Sequence, residues 1–169
     1  MKILLLGEFS SLHNNLKKGL VEEGHSVTLA SSGDGWKKIN HDLKLPTPDT
    51  VSIISKIVYR VRLIMLFFSF KNFEVLQFIS PGIIPTSFFP SKLILKRLRK
   101  KNHKLFLLAA GSDYYYWTVS RKQLRYGPFD DNMKYDLKQN KVRFLEKDFK
   151  EFNKFLANFV DGIIPIMYE

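Results

Sequence analysis

The sequence predicts an α/β fold, a three-layer sandwich around a mainly parallel central sheet, and three observations carry that prediction. The chain opens on an unbroken aliphatic run, Lys2-Ile3-Leu4-Leu5-Leu6, and a strand without polar alternation needs cover on both faces. A small-polar loop, a helical pattern and a second β-rich run follow at once, which makes a βαβ unit with two parallel strands. Apolar runs and helical periods then keep alternating along the chain, as they do where a parallel sheet is built strand by strand.

The first strand is expected at 2–6 and its loop at 7–11. Leu12, Leu16 and Leu20 recur every four residues, so a helix is expected there, capped by Ser10 or Ser11 and ended by Gly24. The run 26–30 is the second strand. From 31 to 49 the composition shifts to Gly, Trp, Lys, Asn, Asp and Pro, an irregular excursion over the sheet edge. Thr47-Pro48-Asp49 reads as a cap followed by a proline in the first turn of a helix reaching about Phe70. Its apolar positions go nearly all the way round, but Lys56, Arg60 and Arg62 argue against a membrane span. A third strand is expected at 74–80, stopped by Pro81-Gly82. A basic helix at 91–101 should turn Leu93, Ile94 and Leu98 inward, and a fourth strand at 104–110 leads to Gly111-Ser112-Asp113 and the cluster Tyr114-Tyr115-Tyr116-Trp117. Leu145, Phe149, Phe152, Leu156 and Phe159 mark one face of a further helix, closed by Asp161-Gly162, and 163–166 begins a fifth strand. The chain stops three residues later, which leads us to expect a continuation beyond Glu169.

With 169 residues and 45% hydrophobic content, a single domain over 1–169 can bury one core. Cysteine is absent, which excludes disulfides and thiolate metal sites and suits a reducing cytoplasm. Gly7-Glu8 cuts the opening apolar run before it reaches signal-peptide length. Lysine and arginine number 27 against 16 acids, a formal charge of +11, which favours a polyanionic partner: nucleic acid, phospholipid or a phosphorylated ligand.

Four passages resemble the amino-terminal domain of GT-B glycosyltransferases, in particular the retaining, nucleotide-sugar-dependent family that builds bacterial surface glycans. They are Lys2-Ile3-Leu4-Leu5-Leu6-Gly7; Leu12-His13 through Leu16, Leu20 and Gly24-His25-Ser26-Val27-Thr28; Ala110-Gly111-Ser112-Asp113 with Trp117; and Asp161-Gly162-Ile163-Ile164-Pro165. The resemblance implies two Rossmann-like domains facing each other across a cleft, with the nucleotide sugar held mainly by a carboxy-terminal domain outside this sequence. The present half would then supply acceptor contacts for a glycan or lipid-linked substrate, be inactive alone, and need neither a resident cofactor nor a metal. Family members often carry a histidine just before the glycine of the fourth-strand loop; here that residue is Ala110.

The loops after the first and fourth strands are where a ligand is expected. Gly7, Ser10 and Ser11 offer backbone room and amides for a diphosphate, or simply a helix cap. Glu8 would orient an acceptor hydroxyl or pair with a cation, and His13 would reach the cleft or be an ordinary helix residue. Gly111, Ser112 and Asp113 are candidates for acceptor hydroxyls, with a turn cap as the alternative role of Asp113. Trp117 and its aromatic neighbours would stack on a sugar or lipid face, or pack a lid on the core. One glycine stands where a dinucleotide fingerprint needs three, and 27–32 offers no ribose-binding acid, so a dehydrogenase is disfavoured. Lys96, Arg97, Arg99, Lys100 and Lys101 form either a solvated helix face or a membrane-facing patch, giving a cytoplasmic or peripheral inner-face location. No specific nucleic-acid motif is present. The alternative to a transferase domain is a stand-alone basic α/β module for a membrane or anionic partner.

Overall fold

Strand β1 (Lys2–Leu6) is buried at every position after Lys2, as its unbroken apolar run requires. The computed structural model describes residues 1–47, 52–110, 113–123, 125 and 143–166. Helix α1 (Leu12–Glu22) returns the chain to β2 (Ser26–Ser31). Gly24, at φ +81°, ends α1 as expected: its amide and that of His25 donate to Val21 and Leu20 carbonyls, a left-handed closure that glycine makes cheap. β3 (Leu43–Lys44), α2 (Ile53–Ser69), β4 (Val75–Phe78), α3 (Ser91–Lys101), β5 (Lys104–Ala109), α4 (Tyr114–Gln123), α5 (Lys147–Phe159) and β6 (Gly162–Pro165) follow.

The six strands form one parallel sheet in the order β3-β2-β1-β4-β5-β6. The chain starts in the middle, steps out to one edge, crosses back over β1 and builds the other half. Leu4, Leu6, Leu76, Phe78, Leu105 and Leu107 face one side, where they pack with Leu63 and Phe67 of α2, Ile94, Leu95 and Leu98 of α3, and Phe152 and Leu156 of α5. Ile3, Leu5 and Leu29 face the other, under Leu20 of α1. Helices therefore flank a parallel sheet, a Rossmann-like α/β arrangement.

Four expectations change. β3 lies in the stretch read as an irregular excursion; its two residues are too short for a period. It is pinned by reciprocal bonds between Leu29 and Asp42, whose amide and carboxylate both take part, and by the Leu45 amide on Ser31. α2 is capped by Ser52, which forms a reciprocal capping box with Ser55; of the cap expected at 47–49, Pro48 and Asp49 lie outside the described residues. On α3 it is Leu95, not Leu93, that joins Ile94 and Leu98 inside. Leu145 sits in a 3-10 turn (Arg143–Leu145) ahead of α5 and is exposed.

Candidate functional site

In an open parallel sheet the ligand crevice lies outside the carboxyl ends of the strands where strand order reverses, here between β1 and β4. Gly7 leaves β1 at φ +87° and donates its amide to Ala30. A β-carbon at Gly7 would stand 2.3 Å from Ile79 Cγ2 and 2.7 Å from Ile83 Cδ1. The close approach that Gly7 permits is thus made by the loop after β4, and the space sought for a ligand is filled by two isoleucines.

His13 is fully buried. Its Nδ1 lies 2.8 Å from the Gly7 carbonyl and its Nε2 lies 3.1 Å from Gln77 Nε2. One tautomer satisfies both contacts: Nδ1–H donates to Gly7 and Nε2 accepts from the Gln77 amide. Burial lowers the imidazole pKa to about 4, against the smaller raising effect of the Gly7 bond, so the ring is neutral. His13 is therefore a buried tie between β1, α1 and β4 rather than a cleft histidine. The α1 positions chosen for the core, Leu12 and Leu16, are half-buried and exposed, because this imidazole takes the inward place.

The amino terminus of α1 already holds an anion. Glu8 Oε1 accepts from the amides of Phe9 (2.7 Å) and His13 (3.3 Å), and Oε2 accepts from that of Asn14 (2.8 Å). The His13 and Asn14 amides are groups a helix leaves unpaired in its first turn. The Ser10 amide goes to Asp34 Oδ2 and the Leu12 amide to Phe9. Ser11 stands at the cap position, with no capping bond from its side chain. A diphosphate at this terminus would have to displace Glu8, whose carboxylate is turned back onto the helix.

Ser10 belongs instead to a small polar cluster that sequence reading missed. Lys37 Nζ donates to Ser10 Oγ (2.7 Å) and to Asp34 Oδ2 (3.0 Å). The Ser10 amide, then Lys37, hold the Asp34 carboxyl below the usual range against a modest desolvation effect. Ser10, Ser11, Asp34 and Lys38 all take left-handed backbone conformations, which non-glycine residues adopt at a cost. Beside the cluster stand two exposed rings, Phe9 and Trp36, the latter 86% accessible, with the Lys37 ammonium 5.7 Å and 6.0 Å from their centroids. The available signal was a tryptophan directly after two turn glycines, Gly33 and Gly35.

On the loop after β5, Asp113 Oδ1 accepts from the Tyr116 amide at 2.7 Å, which is the turn-capping role. Burial raises its pKa and the Tyr116 and Tyr115 amides oppose that shift. Trp117 is buried and stacks on Phe144, with centroids 5.6 Å apart, so it packs the core side of α4 instead of offering a free stacking face. Gly111 and Ser112 lie outside the described residues.

An open cavity of about 490 Å³ does lie at the carboxyl ends of the strands. Ser32 comes from the end of β2, Leu45 and Thr47 from beyond β3, Thr86 and Ser87 from the loop after β4, and Lys56 and Arg60 from the first turns of α2. Arg60 is steadied by donating to the Ser87 carbonyl at 3.3 Å. None of these residues was read from sequence as a ligand contact, because with Glu146 the lining gathers from five separate segments. Among the described residues no group of three His, Asp or Glu side chains is placed to hold a metal.

The basic helix splits. Lys96, Lys100 and Lys101 are exposed, but Arg97 lies 4.3 Å over the Phe68 ring and donates to the Phe68 carbonyl. Arg99 pairs with Asp161, which also accepts from Lys104 and the Leu105 amide. Arg99, then that amide, lower the Asp161 pKa to about 2. Two of the five cations thus hold helices and strands together. No described helix is long and apolar enough to cross a membrane. No family model, curated protein or solved structure matches the chain.

Proposed function

We propose that the chain is the amino-terminal, acceptor-side domain of a GT-B glycosyltransferase, which moves a sugar from a nucleotide-sugar donor to a glycan or lipid-linked acceptor. The observation that carries this reading is the cavity at the carboxyl ends of β2, β3 and β4. Its hydroxyls, from Ser32, Thr47, Thr86 and Ser87, suit a polyhydroxylated ligand that exchanges donors and acceptors. Lys56 and Arg60 at its wall outnumber the one lining carboxylate, Glu146, and suit an anionic group such as a lipid-linked diphosphate. Phe9 and Trp36 add apolar ring faces on neighbouring loops. The four passages that resemble the family point to the same assignment, and the lack of a dinucleotide fingerprint speaks against a nicotinamide enzyme. A partner donor domain would bring the nucleotide sugar, so this half alone turns nothing over.

Calorimetric titration with a short lipid-linked oligosaccharide tests the reading. Binding by the chain, weakened at least about tenfold in a Lys56→Ala/Arg60→Ala variant, is expected, together with little affinity for free nucleotide sugars. Tight nucleotide-sugar binding without acceptor binding would reverse the assignment of the half.

A further inference from the structure

We propose that the outer face of α2 docks the protein on an anionic phospholipid leaflet, lying in the interface plane without crossing it. Seven large apolar side chains, Ile53, Ile54, Ile57, Val58, Val61, Met65 and Phe68, are exposed on this helix, with Ile53, Ile54 and Met65 each more than 65% accessible. At 100° per residue they fall within an arc of about 140° and run about 22 Å along the axis. Exposed apolar surface of that extent on one element marks an interaction site. The helix is fixed beneath it, since Leu63 and Phe67 are buried in the core.

Charge selects the occupant. Glu74 is the single acid between Asp49 and Asp113, so no acid lies on α2 or α3. Lys56 and Arg60 flank the stripe on one side and Arg62 on the other. Arg97 bridges Phe68 to α3, whose exposed Leu93, Lys96 and Lys100 continue the surface on the same side of the sheet. An apolar band with cationic margins matches acyl chains beneath anionic headgroups. A second copy of a chain with formal charge +11 meets it with repulsion, and a nucleic acid satisfies the cations but leaves the stripe wet. This surface stands independently of sugar transfer, and its test reads no turnover.

Because the chain has no cysteine, a single label reports position. Ile57→Cys and, on the opposite side of the sheet, Lys18→Cys are labelled with an environment-sensitive fluorophore and mixed with phosphatidylglycerol vesicles or phosphatidylcholine vesicles. Expected are a blue shift at position 57 alone, with the anionic vesicles, and at least about tenfold weaker vesicle binding by Val61→Glu. No shift at 57, equal shifts at 57 and 18, or a shift at 57 that grows with protein concentration without vesicles would overturn the proposal, the last by assigning the stripe to a second copy.

Discussion

Gly7 and His13 carry the sharpest residue-level consequences. Gly7→Ala forces a β-carbon against Ile79 and Ile83 and a side chain onto a left-handed backbone. A loss of about 3 kcal/mol is expected in urea unfolding. For His13 the folded pKa, about 4, lies below the unfolded value near 6.5. The unfolded chain therefore binds the proton first, and stability is complete above about pH 6.5 and falls as pH drops toward about 4. The loss is about 3 kcal/mol across that window. Urea midpoints measured from pH 7 to 4.5 should trace this slope, and a His13→Phe variant should flatten it. Both residues were visible as candidates in sequence, but their partners were not, because Ile79, Ile83 and Gln77 are more than sixty residues away along the chain.

At the scale of the element, helix starts were legible as regions but not as atoms. The small-polar loop before α1 announced a cap, yet the capping group is Glu8, three residues before the Ser11 cap position, and the chain reaches it by two left-handed serines. Glu8→Gln should cost about 1 kcal/mol of thermal stability by weakening the anion at that terminus. Asp113→Ala should cost a similar amount, about 1 kcal/mol, at α4. Asp161 ties α3 to the β5–β6 edge through Arg99, Lys104 and the Leu105 amide. Its pKa is lowered to about 2, so its contribution is present above the ordinary carboxylate range and lost as pH falls through about 2. Asp161→Asn should lose about 2 kcal/mol at neutral pH, read by chemical denaturation. The apolar positions of α2 go nearly all the way round, yet only Leu63 and Phe67 are buried, because periodicity reports hydrophobicity and not which face meets the core.

For the whole molecule, parallel α/β architecture was legible because each strand's lack of alternation implies two covered faces. The strand order and the cavity were not, since both depend on where loops from β2, β3, β4 and the start of α2 converge. The same cavity adjoins the cationic margin of the exposed α2 stripe through Lys56 and Arg60, so a lipid-linked acceptor held there would have its tail beside the proposed membrane face. The most direct measurement is sugar transfer from radiolabelled nucleotide-sugar donors to a membrane extract. It compares the product of the whole reading frame, the same product with Lys56→Ala/Arg60→Ala, and residues 1–169 alone. Transfer by the whole product, a rise in acceptor KM in the variant and no turnover by residues 1–169 are expected. No transfer by the whole product with any donor, or an unchanged acceptor KM in the variant, would contradict an acceptor site at this cavity.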